Sequence, residues 1–256
     1  MMNSIEETKE RDVKDIILFS ISSTIYFISI IYGLIILLNH SIDSSQALLI
    51  IIESILGLSI PLIYLIFNKC FNINVSFNLK LTIFLFSFMG IILGETFHFY
   101  YYIPYWDKVL HTMSGVIVSW IGYSLCYYLI KDSNLANKTM ISIIVAVIFS
   151  LAFSVLWEFY EYTVDSIFGL NMQKTIPGDV LFNGGGTNNP LLGTDEEIAA
   201  FYRDPSGYRY ALFDTMTDML LNALGTLITT VIFIILNKCN KIEYINYTLT
   251  KEKMDI

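Results

Sequence analysis

The sequence predicts an all-α membrane protein, a polytopic bundle of about six transmembrane helices with both termini cytoplasmic and a long outer loop between spans five and six. Three observations predict it. The hydrophobic share is 55% and the mean hydropathy +0.60, above the roughly 45–50% apolar usage of soluble domains, glycine included. Six segments, near 15–38, 47–67, 79–103, 109–130, 139–165 and 215–237, reach the length of about 20 apolar residues that a helix needs to cross the hydrocarbon core. Residues 166–214 instead contain Pro177, Gly184-Gly185-Gly186, Asn188-Asn189-Pro190 and Pro205, turn formers that exclude a further span.

Taken in order, residues 1–14 are charged with mixed sign and read as a cytoplasmic tail. The apolar run from Ile16 to Leu38 is longer than a signal-peptide core of about 7–15 residues, so it stays in the membrane as the first span. The second span carries Glu53, which has no partner at helical spacing and is left outside the expected site. The third brings Glu95 and His98 to its end, followed by Tyr100-Tyr101-Tyr102, Tyr105 and Trp106 as an interfacial aromatic belt. Asp107 and His111 open the fourth span, and Glu158, Glu161 and Asp165 close the fifth. Loop 166–214 is far longer than the usual connection of about 2–8 residues between bundle helices, which marks it as a lid or part of a binding surface. Asp214 and Asp218 begin the sixth span, Asn222 lies one step further, and 238–256 is a second cytoplasmic tail. The whole chain, 1–256, reads as one membrane domain, with His40 at its surface.

Orientation follows from lysine and arginine in the flanks, which concentrate on the cytoplasmic side. With the N-terminus inside, the inner flanks hold eleven of these residues and the outer ones only Lys108, Lys174, Arg203 and Arg209. The same topology places all four polar sets, Glu95/His98, Asp107/His111, Glu158/Glu161/Asp165 and Asp214/Asp218, at the outer face.

Residues three and four apart share a helix face, so each set presents its members together. Gly94, Ser114, Gly115, Ser154 and Gly225 on or near those faces allow close helix approach. A charged residue near a bilayer centre costs about 2.5–3.5 kcal/mol on insertion scales, so such residues normally face the bundle interior and pair or bind something. Carboxylates gathered in a low-dielectric space must be protonated or held by a cation. Mixed carboxylate and imidazole donors suit magnesium, manganese, zinc or iron. The expected metal donors are Glu95, His98, Asp107, His111, Glu158, Glu161, Asp214 and Asp218, with His111 and Glu158 as the catalytic acid and base. Glu95 and His98 form a single Glu-x-x-His, where di-iron bundles use two. The competing reading of the same side chains is interhelical hydrogen bonding, or solvation at the interface, which applies most readily to His98 and Asp165.

Several function classes are excluded. The formal charge of −8 and the absence of a basic stripe exclude nucleic-acid binding. Cys70, Cys126 and Cys239 form no C-x-x-C pair and read as packing residues. The glycine run lacks a P-loop lysine, and neither a serine elbow nor a cysteine nucleophile constellation is present.

Trp106-Asp107-Lys108-Val109-Leu110-His111 with Ser114-Gly115, Trp157-Glu158-Phe159-Tyr160-Glu161, Asn171-Met172-Gln173 and Asp214-Thr215-Met216-Thr217-Asp218-Met219 together resemble the YjdF-like integral membrane proteins. The order Asp-x-x-x-His, a glutamate closing a span, then Asp with a following Asn-x-x-Gly is also similar to the VanZ-like family, which is linked to glycopeptide tolerance. The resemblance covers roughly 90–236 and singles out Asp107, His111, Glu158, Glu161, Asp214 and Asp218. Two features depart from the VanZ-like pattern: the long loop before Asp214, and a Glu158/Glu161 pair where that family tends to have glutamate and glutamine.

Three functions are therefore expected in competition. The first is a metal-dependent hydrolase or transferase acting on a membrane lipid or lipid-linked envelope substrate. The second is an ion- or proton-coupled transporter, which needs polar groups continuing into the cytoplasmic half; in spans three to six that half is almost wholly apolar, with Ser87, Ser124, Ser142 and Thr229 modest exceptions. The third is a noncatalytic scaffold or sensor. The compartment is a cell membrane, and usage rich in isoleucine, asparagine and lysine points to a bacterial plasma membrane.

Overall fold

The computed structural model describes residues 2–39, 44–168, 170, 172–173 and 205–251. His40 and most of loop 166–214 lie outside them. The elements are α1 (Met2–Asn39), α2 (Ser44–Phe71), β1 (Ile73–Val75), α3 (Phe77–Ser87, continuing as a π-helix over Phe88–Thr96), α4 (Phe99–Tyr102), α5 (Trp106–Ile130), α6 (Lys138–Phe168), α7 (Pro205–Lys238), α8 (Glu243–Asn246) and β2 (Leu249–Lys251). Among the described residues, six helices are long and apolar enough to cross a membrane: Val13–Leu38, Gln46–Phe71, Phe77–Thr96, Trp106–Ile130, Lys138–Phe168 and Leu212–Lys238. Phe27, Ile28, Leu62, Ile148, Leu156 and Leu227 point outward from them, as lipid-facing side chains do.

Lipid tails are as apolar as leucine, so burial does not drive these helices together; close packing of small residues and interhelical hydrogen bonds do. α5 packs against both α6 and α7, α6 against α7, and α1 against α2, while the π-helical end of α3 touches α1, α2 and α5. The tightest crossing joins α5 and α7. A Cβ on Gly115 would lie 2.1 Å from the Asn222 carbonyl oxygen, and one on Gly225 would lie 2.1 Å from that of Thr112. The backbones meet there because neither residue has a side chain.

The end of the bundle that carries the termini is closed. Tyr123, Ile143, Ala146, Phe233 and Ile242 form an apolar cluster. Below it the chain after α7 folds back: β2 pairs antiparallel with β1, Ile73 opposite Lys251. The Trp120 indole donates to Thr248 Oγ1 at 3.1 Å, and the Tyr123 hydroxyl donates to Asn246 Oδ1 at 2.7 Å. Part of the expected tail, 238–256, is thus a structural cover. Helix α7 likewise begins at Pro205, inside the segment expected to be loop.

The third span ends earlier than the sequence predicts. It stops at Thr96, not near 103; Phe97 leaves the helix, and His98 adopts a left-handed conformation with φ 60°. Glu95 and His98 therefore do not share a helical face. The cause is the aromatic run that follows. Tyr100 folds back onto the π-helix, where a Cβ on Gly94 would lie 2.3 Å from its ring, so the chain turns at 97–98 to bring that ring home.

Candidate metal centre

Asp107, Lys108 and His111 sit on the first turns of α5, and Glu158 and Glu161 near the end of α6. Asp214 and Asp218 are on α7, one turn apart. The Gly115–Gly225 crossing holds α5 against α7 one turn below, and α6 closes the third side. His111, Glu158, Glu161, Asp214 and Asp218 are all buried.

At the centre stands Lys108, which the sequence reading counted only as a flanking charge. Its ammonium donates to Asp214 Oδ1 at 2.6 Å, to Asp218 Oδ1 and Oδ2 at 2.8 and 2.9 Å, and to Asp107 Oδ2 at 3.2 Å. One cation thus ties α5 to α7 through three aspartates. It offsets only part of their charge, and Glu158 and Glu161 add more.

His111 faces three carboxylate groups with its two nitrogens. Nε2 lies 3.6 Å from Asp107 Oδ1 and 3.8 Å from Asp218 Oδ2, and Nδ1 lies 4.0 Å from Glu158 Oε1. These separations exceed hydrogen-bond length. They approach the spacing of donors around one ion, since two ligands at about 2.1 Å in tetrahedral array stand about 3.4 Å apart. Two donor triads result, Asp107/His111/Asp218 and His111/Glu158/Glu161, each with its ligand atoms within 4.8 Å of one another.

The unused bonding capacity points the same way. Both Glu158 carboxylate oxygens and Asp214 Oδ2 are buried and make no hydrogen bond of normal geometry among the described residues; the Thr215 hydroxyl approaches Glu158 without completing one. A buried polar atom left unmatched costs about 1–3 kcal/mol, so two such oxygens on one carboxylate fit a site built to hold something. Glu161 is fixed by the Trp157 indole, which donates to Oε1 at 2.7 Å. Beneath the triads the floor is hydrogen-bonded: Asn222 Nδ2 donates to Ser114 Oγ at 2.8 Å, Ser150 Oγ to Asn222 Oδ1 at 3.3 Å, and Thr226 Oγ1 to Ser150 Oγ at 2.8 Å.

Other expected site residues lie elsewhere. Asp165 caps the turn after α6, accepting the backbone N–H groups of Met172 and Gln173 at 2.7 and 3.0 Å. His98 packs beside Tyr101. Glu95 is fully buried and accepts from Gln46 Nε2 at 3.1 Å. Between it and the centre lies Tyr100, whose phenol stands among Glu53, Glu95, Asp107 and Glu161; burial first, then those carboxylates, push it well above its ordinary ionisation range, so it stays neutral. Glu53 is therefore a neighbour of the centre after all. Sequence spacing within one helix could not show this, because its partners come from other helices.

A family model described as "Predicted membrane protein (DUF2238)" matches residues 24–238. It takes in α2 through α7 and the later part of α1 from residue 24, and so reaches the first two spans, which the YjdF-like and VanZ-like motifs leave out. An uncharacterized protein of Thermotoga maritima is 27% identical over 124 residues, 47% of this chain and 59% of its own length, so the match spans less than two thirds of that relative. No solved structure matches. With the match running through all six apolar helices, the chain belongs to the DUF2238 family and is a multi-pass membrane protein.

Proposed function

We propose that the protein is a metal-dependent enzyme of the bacterial plasma membrane that hydrolyses, or transfers a group from, a lipid or lipid-linked envelope substrate at the outer face. The observation that carries this reading is the pair of donor triads sharing His111, with neither Glu158 oxygen in a hydrogen bond of normal geometry beside it. Asp107, His111 and Asp218 supply an oxygen, nitrogen, oxygen set suited to magnesium, manganese, zinc or iron. These residues would hold a divalent ion, whose chemistry there would be Lewis-acid polarisation of an ester or phosphoryl oxygen. Glu158 is the group placed to take a proton from an attacking water. Lys108 holds Asp214 and Asp218 so that α7 presents them to the same space.

Access and closure favour an enzyme over a channel through this part of the bundle. A shallow groove of about 340 Å³, lined by Lys108, Val109, Thr112, Met113 and Leu221, opens on the bundle surface between α5 and α7. Its apolar walls suit a lipid arriving from the side. At the opposite end α5, α6 and α7 are sealed by the Tyr123–Phe233 cluster and the folded tail. The motif similarity to VanZ-like proteins agrees with an envelope substrate.

The test is release of a water-soluble label from head-group-labelled phosphate-ester lipids in mixed micelles with magnesium, manganese or zinc. His111→Ala and Glu158→Gln are expected to cut release by about 10²–10⁴-fold, the usual contribution of a positioned acid or base, and chelation to abolish it. Release that survives both substitutions, or none from any phosphate-ester lipid with any of the three metals, would sink the reading.

A further inference from the structure

A second chain of buried polar groups runs through α1, α2 and α3, outside the metal centre. It begins near the end of the bundle that carries the termini. There Lys80 Nζ donates to Asp15 Oδ2 at 2.6 Å, leaving Asp15 Oδ1 buried without a partner among the described residues. A narrow cavity of about 10 Å³ adjoins the pair, lined in part by Ser22, Tyr26, Tyr64, Lys80 and Ser87; that is room for about one water. The Tyr64 hydroxyl is a further buried group with no partner there. Across the cavity Tyr26 Oη and Ser87 Oγ share a hydrogen bond of 2.5 Å.

One turn further along α1 the chain resumes. Ser54 Oγ donates to Ser29 Oγ at 2.9 Å, and Ser29 Oγ shares a bond of 3.0 Å with Thr96 Oγ1. Thr96 adjoins Glu95, which is paired with Gln46 at 3.1 Å beside Tyr100 and Glu53. Tyr26, Ser54 and Glu95 are fully buried. The two halves are separated by the Tyr26 ring, which lies on Gly57 so closely that a Cβ there would stand 2.8 Å from it.

A serine, threonine or tyrosine hydroxyl both donates and accepts, so a file of them hands on a proton as one O–H bond breaks and the next forms. A cavity with space for one water is too small for a hydrated metal ion. We propose that α1–α3 carry a proton path from Asp15 at the terminal end to Glu95 beside the metal centre, with the Tyr26 ring as its gate. A proton taken from water by the Asp15 carboxylate is matched by one passed from Glu95 to water at the Gln46 end of the path, and the hydroxyls between them, each gaining one proton as it gives up another, keep their charge. This path does not depend on metal binding or on lipid hydrolysis.

The full chain, reconstituted in vesicles containing a trapped pH dye, tests it under a potassium diffusion potential set with valinomycin. Wild type is expected to acidify the interior at least fivefold faster than empty vesicles. Tyr26→Phe, which removes one oxygen and keeps the ring, and Glu95→Gln are each expected to return the rate to that of empty vesicles. Ser142→Ala, on α6 and away from the path, should match wild type. A wild-type rate equal to empty vesicles overturns the proposal. So does a wild-type rate in Tyr26→Phe, the substitution least able to disturb folding, which would make these bonds interhelical glue alone.

Discussion

Lys108→Met is expected to destabilise the folded bundle by about 3–5 kcal/mol, the cost of removing one partner from a buried ion pair. The magnitude follows from what is left behind. The ammonium meets Asp214 and Asp218 at 2.6–2.9 Å and Asp107 at 3.2 Å, and the Asp214 and Asp218 side chains are only 9% and 2% exposed. Methionine fills the stem but leaves three aspartates facing one another, with Glu158 and Glu161 behind them. The measurement is unfolding of the detergent-solubilised protein by increasing SDS, with helicity as the signal. Adding Asp214→Asn and Asp218→Asn to Lys108→Met should recover much of the loss, because the charge that needed a partner is gone; the non-additivity reports the coupling. A single variant as stable as wild type would show that Lys108 is not what holds α5 to α7.

Gly115→Val should be as damaging for a different reason. A Cβ at that position falls 2.1 Å from the Asn222 carbonyl oxygen, and real contacts begin near 3.4 Å. The helices must separate by roughly the difference, about 1.3 Å, because backbone cannot rotate away. Overpacking usually costs about 1–3 kcal/mol, and an obstruction that is backbone on both sides belongs at the upper end. The shift is transmitted directly to function: α5 carries Asp107 and His111, and α7 carries Asp218. Gly115→Val is therefore expected to lose divalent metal binding together with stability, and Gly225→Val to do the same. Gly90→Ala is the contrast, since its Cβ would meet the Tyr100 hydroxyl at 3.6 Å, an ordinary van der Waals contact. SDS unfolding and metal titration of the three variants side by side decide the matter; equal, small effects at all three positions would contradict the crossing as the element that sets the site.

The six spans are legible in the sequence because lipid selects on apolar length alone, and α1, α2 and α5 appear within a few residues of where hydropathy puts them. The end of α3 is not legible. Hydropathy continues through the aromatic residues to 103, whereas the helix stops because Tyr100 turns back to pack on Gly94. The acids and His111 declare themselves as ionisable groups in apolar segments, and Asp107, His111, Glu158, Glu161, Asp214 and Asp218 come together while Glu95 and Asp165 do not. Lys108 hides because one lysine at the end of a span looks like any flanking charge; only its placement between α5 and α7 reveals a bridge. Glu53 and Tyr100 meet across helices, where periodicity within one helix carries no signal. The serine and threonine hydroxyls of the floor and of α1–α3 are nearly neutral in hydropathy. Several of them bond to their own helix, as Ser119 does to the Gly115 carbonyl at 2.6 Å, so that composition alone does not separate network members from bystanders.

The most direct measurement is the metal content of gently purified, metal-supplemented protein by mass spectrometry, wild type beside His111→Ala and Glu158→Gln, each checked for monodispersity. Near-stoichiometric divalent metal in wild type, lost in His111→Ala and at most reduced in Glu158→Gln, is the predicted result, since His111 belongs to both donor triads and Glu158 to one. Wild type without bound metal would contradict the centre and leave the buried carboxylates as a proton-sharing network around Lys108.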